Sequence, residues 1–347
     1  MTVARPGGPE WGTRDLCVRY GGRLALDRVS LRVPAGQVVA VVGGDGAGKS
    51  TLLSCLAGAI APSSGSVDRP AKSRLGYLPP GPGVYPDLTV QENLSFRATA
   101  YGVKPAGAES RVGQLLERTG LASARGRLAG QLSGGMRRKL GVIAAMIHRP
   151  ELLVLDEPTT GVDPVSRADL WWLIMMAAAE GAAVVLSTSY LDEAERAASV
   201  LVLDDGQPLS AGTPAEIAAQ VPGVIRILPG RPSGAERSRA WLRAGQWRLW
   251  IPSGTEEAAG THSAHEAGST ALDRAAPDQV IPDQAVPDEA VPDQTAPDQT
   301  VPDQTVPDQT GVVTPDLQDA VTVAMLGREQ GGSSGADGLV TTGGGGR

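Results

Sequence analysis

The residues best suited to chemistry form one short run: Gly43-Gly44-Asp45-Gly46-Ala47-Gly48-Lys49-Ser50, followed by Thr51. It fits the pattern G-x-x-x-x-G-K-[ST]. Glycines let the backbone curl so that successive N–H groups point at phosphate oxygens, and a helix opening there adds its positive end. Lys49 would place a point charge against the β/γ-phosphates, and the Ser50 hydroxyl would face Mg²⁺. A second run, Leu152-Leu153-Val154-Leu155-Asp156-Glu157, ends an apolar stretch in two carboxylates. Asp156 is placed to hold Mg²⁺, directly or through water. Glu157 is placed to polarise an attacking water. A third run, Leu132-Ser133-Gly134-Gly135-Met136, offers free N–H groups and a hydroxyl at the start of a helix, which suits an anion.

These motifs need elements to position them. Val38 to Val42 is a continuous apolar run, the pattern of a strand buried on both faces, and a helix is expected from about Gly48 to Gly58. Leu152 to Leu155 reads as a second buried strand. Strands are also expected at Leu16 to Tyr20, Val29 to Val33, Ala183 to Ser187 and Val200 to Leu203, with a helix from Leu191 to Ala198. Residues from about Val90 to Arg149 read mainly as helix. The alternation predicts an α/β fold with a parallel sheet and an inserted helical subdomain.

With the third run lying between the other two, the three motifs resemble the ATP-binding subunit of ATP-binding cassette (ABC) transporters over about residues 14–230. LSGG is that family's signature. The resemblance implies a phosphate-loop NTPase core with ATP and Mg²⁺ as ligands. It also implies a head-to-tail pair of cassettes in which Ser133, Gly134, Gly135 and Met136 meet the ATP held by the opposite subunit. Tyr20 matches the aromatic that stacks on adenine, with a half-buried strand tyrosine as the alternative. Gly161-Val162-Asp163-Pro164 matches the loop that communicates across the dimer, with Asp163 at its centre. Gly206 and Ala211-Gly212-Thr213-Pro214 match a late strand and turn, and Leu191 to Glu195 a closing helix. The motif variants look most like cassettes of drug and polysaccharide exporters. The partners implied are a separate membrane permease, received near Pro86-Asp87-Leu88, and a second cassette.

Two positions depart from the family. Pro80 stands where the family usually has Gln, and Ser189 where it has the switch histidine. Proline has no side-chain donor or carbonyl, and serine cannot carry a positive charge to a γ-phosphate. Asp45 replaces a usual Asn, which adds a carboxylate near the triphosphate. These changes suggest a site that binds MgATP and hydrolyses it slowly. The alternative is a mainly ATP-binding regulatory cassette paired with a catalytic one. Of the three histidines only His148 lies in the cassette, at the end of the signature helix, where a structural role is expected.

Composition bounds the rest. The chain has 347 residues and a net charge of −7. Residues 1–250 carry +6 and the remainder −13, so a mildly basic body bears an acidic C-terminal segment. Only Arg137, Arg138 and Lys139 are bunched, which argues against nucleic acid as a partner. Cys17 and Cys55 sit in apolar contexts and read as buried structural thiols in a reducing compartment. No apolar signal core follows Met1, and the apolar run from Trp171 to Ala179 is far short of the ~20 residues that span a bilayer. A cytoplasmic protein, held to the inner face of the cell membrane through its permease, is expected.

The domain expectation follows: a flexible 1–13, the cassette at 14–222, and a small unit at 223–255 with Trp241, Trp247 and Trp250. An acidic linker at 256–311 contains seven five-residue repeats of the PDQTV type from Pro277. With a proline and an acid in each repeat, it cannot bury enough apolar surface to offset ordering entropy. A short helix at 312–329, able to dock back on the body, and a disordered Gly-rich tail at 330–347 complete the chain.

Overall fold

The computed structural model describes residues 9–254 and 311–333. The Pro-Asp-Gln repeats and most of the expected Gly-rich tail lie outside the described residues. The chain divides into two compact units. One comprises residues 1–221 with 315–347, and the other residues 222–314.

The first unit is built on a six-stranded sheet. Its strands are β3 (Val38–Val42), β5 (Leu75–Leu78), β6 (Leu152–Leu155), β7 (Ala183–Thr188), β8 (Ser199–Asp204) and β9 (Gln207–Gly212), in the order β5-β6-β7-β3-β8-β9. All neighbours are parallel except β8 and β9, which pair antiparallel, so the expected parallel sheet closes on a hairpin edge. Every residue of β3, β6 and β7 is buried, because both faces are covered. Strand alternation sends Ala40, Leu153 and Val184 to one face and Val41, Val154 and Val185 to the other.

One face packs on α1 (Lys49–Leu56) and on a three-stranded antiparallel sheet. That sheet is β1 (Glu10–Tyr20), β2 (Arg23–Pro34) and β4 (Ser64–Asp68), in the order β2-β1-β4. From Glu10 to Thr13 the chain therefore differs from the loose segment expected to residue 13. Glu10 to Thr13 pair with Pro34 to Leu31, and a Cβ at Gly12 would strike the Leu31 carbonyl oxygen. β1 also exceeds the expected Leu16 to Tyr20, because register shifts at Leu16 and Val18 break the alternation that marks a strand.

The opposite face carries α2 (Val90–Ala100), α3 (Pro105–Arg118), α4 (Gly134–Met146) and α5 (Pro164–Ala179), which bury Leu94, Leu116, Ile143 and Leu173. Thr89 and Glu92 form a reciprocal capping box at the start of α2. α6 (Leu191–Ala194) is shorter than the expected Leu191 to Ala198. Beyond it the chain tightens into i→i+3 bonds, Arg196 N–H to Glu193 O and Ala197 N–H to Ala194 O, both 3.0 Å.

After α7 (Pro214–Ala219), the second unit holds a four-stranded antiparallel sheet. Its order is β11 (Ala240–Arg243), β12 (Gln246–Pro252), β10 (Gly223–Leu228) and β13 (Val312–Val313). Val312 and Val313 were expected to begin the last helix. They pair with Arg226 and Ile225 instead, since β-branched residues favour a strand and Pro315 holds its predecessor extended. The helix itself, α8 (Leu317–Ser333), runs past the expected residue 329 and belongs to the first unit. There Leu317, Ala320 and Val321 join the core, and Arg328 Nη1 donates to Asp204 O at 2.8 Å. Glycines near its end cost little, since a last turn has few bonds to lose.

Candidate functional site

The Gly-rich run leaves the buried end of β3 and enters α1. Gly48 takes a φ of +99°, and a Cβ there would come within 2.7 Å of Leu26 and 2.9 Å of the Ala25 carbonyl oxygen. Only glycine fits that turn. The loop is stitched from outside, because Gly206 N–H donates to Ala47 O at 3.1 Å and Asp27 N–H to Gly206 O at 2.8 Å.

A cleft of about 510 Å³ opens over this loop. It brings together Tyr20, Gly44, Asp45, Gly46, Ala47, Gly48, Lys49, Ser50, Thr51, Glu157 and Ser189. Gly43 contributes its carbonyl behind the loop. Tyr20 is half exposed on the rim. Asp156 lies fully buried beneath the cleft. Pro80, Ser133 to Met136 and Asp163 do not line it.

The polar geometry converges on β6. Lys49 Nζ donates to Gly43 O (2.8 Å) and Gly44 O (3.1 Å) and lies 3.5 Å from Glu157 Oε1. Ser50 Oγ donates to Asp156 Oδ1 at 3.1 Å, and Ser187 Oγ to the same oxygen at 2.6 Å. Asp156 Oδ2, by contrast, is buried and has no hydrogen-bond partner. An orphaned carboxylate oxygen costs at least ~1–3 kcal/mol, so it marks a place for a cation. Together with the Ser50 hydroxyl, it gives the hard-oxygen donor set that Mg²⁺ takes. No group of three or more His, Cys, Asp or Glu side chains suited to another metal occurs among the described residues.

Glu157 departs from ordinary backbone geometry with a φ of +50°. Its N–H donates to Ser187 Oγ at 2.8 Å, and its carbonyl accepts from Arg138 Nη2. Its carboxylate accepts from Ser189 Oγ at 3.1 Å on Oε1 and from Thr160 Oγ1 on Oε2. Ser189 thus reaches the carboxylate as a neutral donor. Pro80 offers only its carbonyl, which accepts from Arg138 Nη1 at 3.0 Å.

Ser133 caps α4, accepting from Met136 N–H at 3.2 Å. Asp163 caps α5, accepting from Ser166 N–H at 2.9 Å, and this bond holds its carboxyl below the usual range. A Cβ at Gly135 would press within 3.0 Å of Asp163 Oδ2 and 2.7 Å of Ser166 Oγ, so the two motifs abut. His148 stacks on Tyr101 with ring centroids 3.7 Å apart and bonds Leu75 O at 3.2 Å. Burial pushes its pKa down to about 4. Cys55 is buried, and its thiol is pushed up to about 11, whereas Cys17 is partly exposed on β1.

Sequence reasoning missed three contributors. Ser187 was seen only as a strand end, Arg138 only as one of a basic triplet, and Thr160 not at all. The close spacing of Ser187 and Ser189 after an apolar strand was the one available signal.

The family model for ABC transporters matches residues 26–160. The daunorubicin/doxorubicin resistance ATP-binding protein DrrA of Streptomyces peucetius is 37% identical over 240 residues, covering 65% of this chain and 73% of that protein. The chain belongs to the ABC transporter family. The probable multidrug ABC transporter ATP-binding protein YbhF of Escherichia coli (strain K12) is 43% identical over 209 residues, which are 57% of this chain. The chain spans only 36% of YbhF's length. A solved structure of an ATP-binding subunit of an ABC transporter superposes with a TM-score of 0.57 at 31% identity, covering 61% of this chain and 93% of that one. The matched segment contains the Gly-rich loop, the paired carboxylates and the capped helix α4. No described helix of this ABC chain is long and apolar enough to cross a membrane.

Proposed function

We propose that this chain is the ATP-hydrolysing motor subunit of an exporter, working through a separate permease at the inner face of the membrane. The observation that carries the reading is the buried, unpartnered Asp156 Oδ2 beneath the cleft, on the carboxylate whose Oδ1 accepts from Ser50. Asp156 and Ser50 would hold Mg²⁺, which when bound neutralises charge on the phosphates. Lys49, now on the Gly43 and Gly44 carbonyls and near Glu157, would turn to the β/γ-phosphates. That turn frees Glu157 Oε1 to accept the proton of a water attacking the γ-phosphorus as the bond to the ADP oxygen breaks. Ser133 to Met136 would meet the γ-phosphate of ATP held by a second cassette, paired head to tail. Asp163, abutting Gly135, would sense that pairing. Export as the direction draws support from the multidrug and drug-resistance names of the relatives.

The water-activating groups are diminished, and a slow site follows. Losing one positioning donor costs about 10²–10³-fold in rate, and two losses in one network need not multiply. A second reading, a mainly ATP-binding cassette that lends its signature to a competent partner, is favoured by Pro80 and Ser189 with an intact signature. Steady-state phosphate release by the purified chain, compared with Glu157→Gln, separates the two. Turnover that the variant abolishes supports the motor. Tight MgATP binding with no excess over the variant supports the lending cassette.

A further inference from the structure

Arg138 is the fifth helical residue after Ser133, which caps α4, and its side chain is buried. Nη1 donates to the carbonyls of Pro80 (3.0 Å) and Gly81 (2.6 Å). Nη2 donates to Glu157 O and reaches Asp156 O at 3.5 Å. Its basic neighbours turn elsewhere. Arg137 Nη2 bonds Leu132 O at 2.9 Å, and Lys139 Nζ bonds Thr119 O at 2.8 Å and Asp169 at 2.9 Å. One planar fork therefore spans the loop at 80–81, the end of β6 and the signature helix.

The peptide groups it holds are unusual. A non-glycine residue in the left-handed region carries about 1–2 kcal/mol of strain and persists only where its surroundings fix it. Glu157 is fixed from both sides, by Ser187 Oγ on its N–H and by Arg138 on its carbonyl. At position 80 a proline side chain cannot report to the cleft, but its carbonyl is gripped all the same.

We propose that Arg138 is a positioning residue that sets the backbone of Glu157 and couples it to the 80–81 loop. The coupling runs through main-chain carbonyls and needs no side chain at position 80. It rests on the reading of Glu157 as general base. A lysine cannot reproduce the link, because a single ammonium does not span two carbonyl pairs as a planar guanidinium does.

The test uses the full chain and its Arg138→Lys variant. MgATP affinity, phosphate release, and hydrogen–deuterium exchange of the 79–82 and 43–51 segments with and without MgATP are measured. The expected result is a turnover at least ~10-fold lower with MgATP affinity within ~3-fold of the parent, the mark of a transition-state effect. MgATP should slow exchange at 79–82 in the parent, and the variant should lose that protection while keeping it at 43–51. Arg138→Gln carries the same expectation should the lysine variant fail to bind MgATP. Unchanged turnover, or protection at 79–82 that persists in the variants or never occurs in the parent, overturns the proposal. Absence of Glu157-dependent turnover in the parent defeats the hydrolysis reading alone, and the exchange measurement then decides the role of Arg138 by itself.

Discussion

Two halves of the cleft differ. The half proposed to grip phosphate and Mg²⁺ follows the family pattern except at Asp45, and its framework is deeply buried: β3 and Asp156 are almost wholly inaccessible. The half proposed to activate water carries Pro80 and Ser189 where the family resemblance implies Gln and His, and its Glu157 is strained while Ser189 is exposed. Glu157 sits at positive φ, tied by Ser189, Thr160 and Arg138. On the proposed reading, binding and hydrolysis are carried by separable groups, so one can weaken while the other stands.

The largest expected effect lies in the intact half. Lys49→Ala removes a buried cation at the loop, and the loss of its charge-assisted bonds should weaken ATP binding by about 10–100-fold. Isothermal titration measures it, and an affinity unchanged by the variant would break the division at its first step. Asp156→Asn should next abolish the Mg²⁺ dependence of that affinity while leaving metal-free nucleotide binding close to the parent's. Ser187→Ala acts across the boundary, since Ser187 bonds both Asp156 and the Glu157 N–H. Loss of those bonds should lower stability by about 1–3 kcal/mol in urea denaturation, with turnover falling further than affinity.

The smallest effect concerns pH. His148 is the only histidine among the described residues, and burial holds its folded pKa near 4, below the usual 6.5. A depressed histidine pKa means that the unfolded chain binds more protons in that window. Stability should therefore be full above about pH 6.5 and decline as pH falls toward 4. His148→Phe, which keeps the stack on Tyr101, should flatten that decline in thermal melts at pH 5 against pH 7.5. No described residue of the half proposed to hydrolyse ATP is a histidine, so turnover between pH 6.5 and 8 should vary little.

Local geometry was legible in the sequence, and contacts between distant segments were not. The phosphate loop, Asp156-Glu157 and the Ser133 cap each lie within a few residues, and the cleft contains the phosphate loop and Glu157 together. β3, β6 and β7 were readable because strands covered on both faces are apolar throughout. β1 was underread, since its bulges interrupt alternation. The contacts of Arg138 were invisible, because they go to carbonyls 58 and 19 positions away that no side-chain pattern records. The return of α8 to the first unit across residues 222–314 was likewise a matter of topology, which an apolar helical stripe permits but does not dictate.

The separation of the two halves is tested most directly by restoring the lost side chains. Pro80→Gln combined with Ser189→His should raise steady-state turnover by ten-fold or more, on the order expected for regained positioning groups, with MgATP affinity unchanged. If affinity holds and turnover stays flat, the slow step lies elsewhere and the account of a diminished water-activating half is wrong.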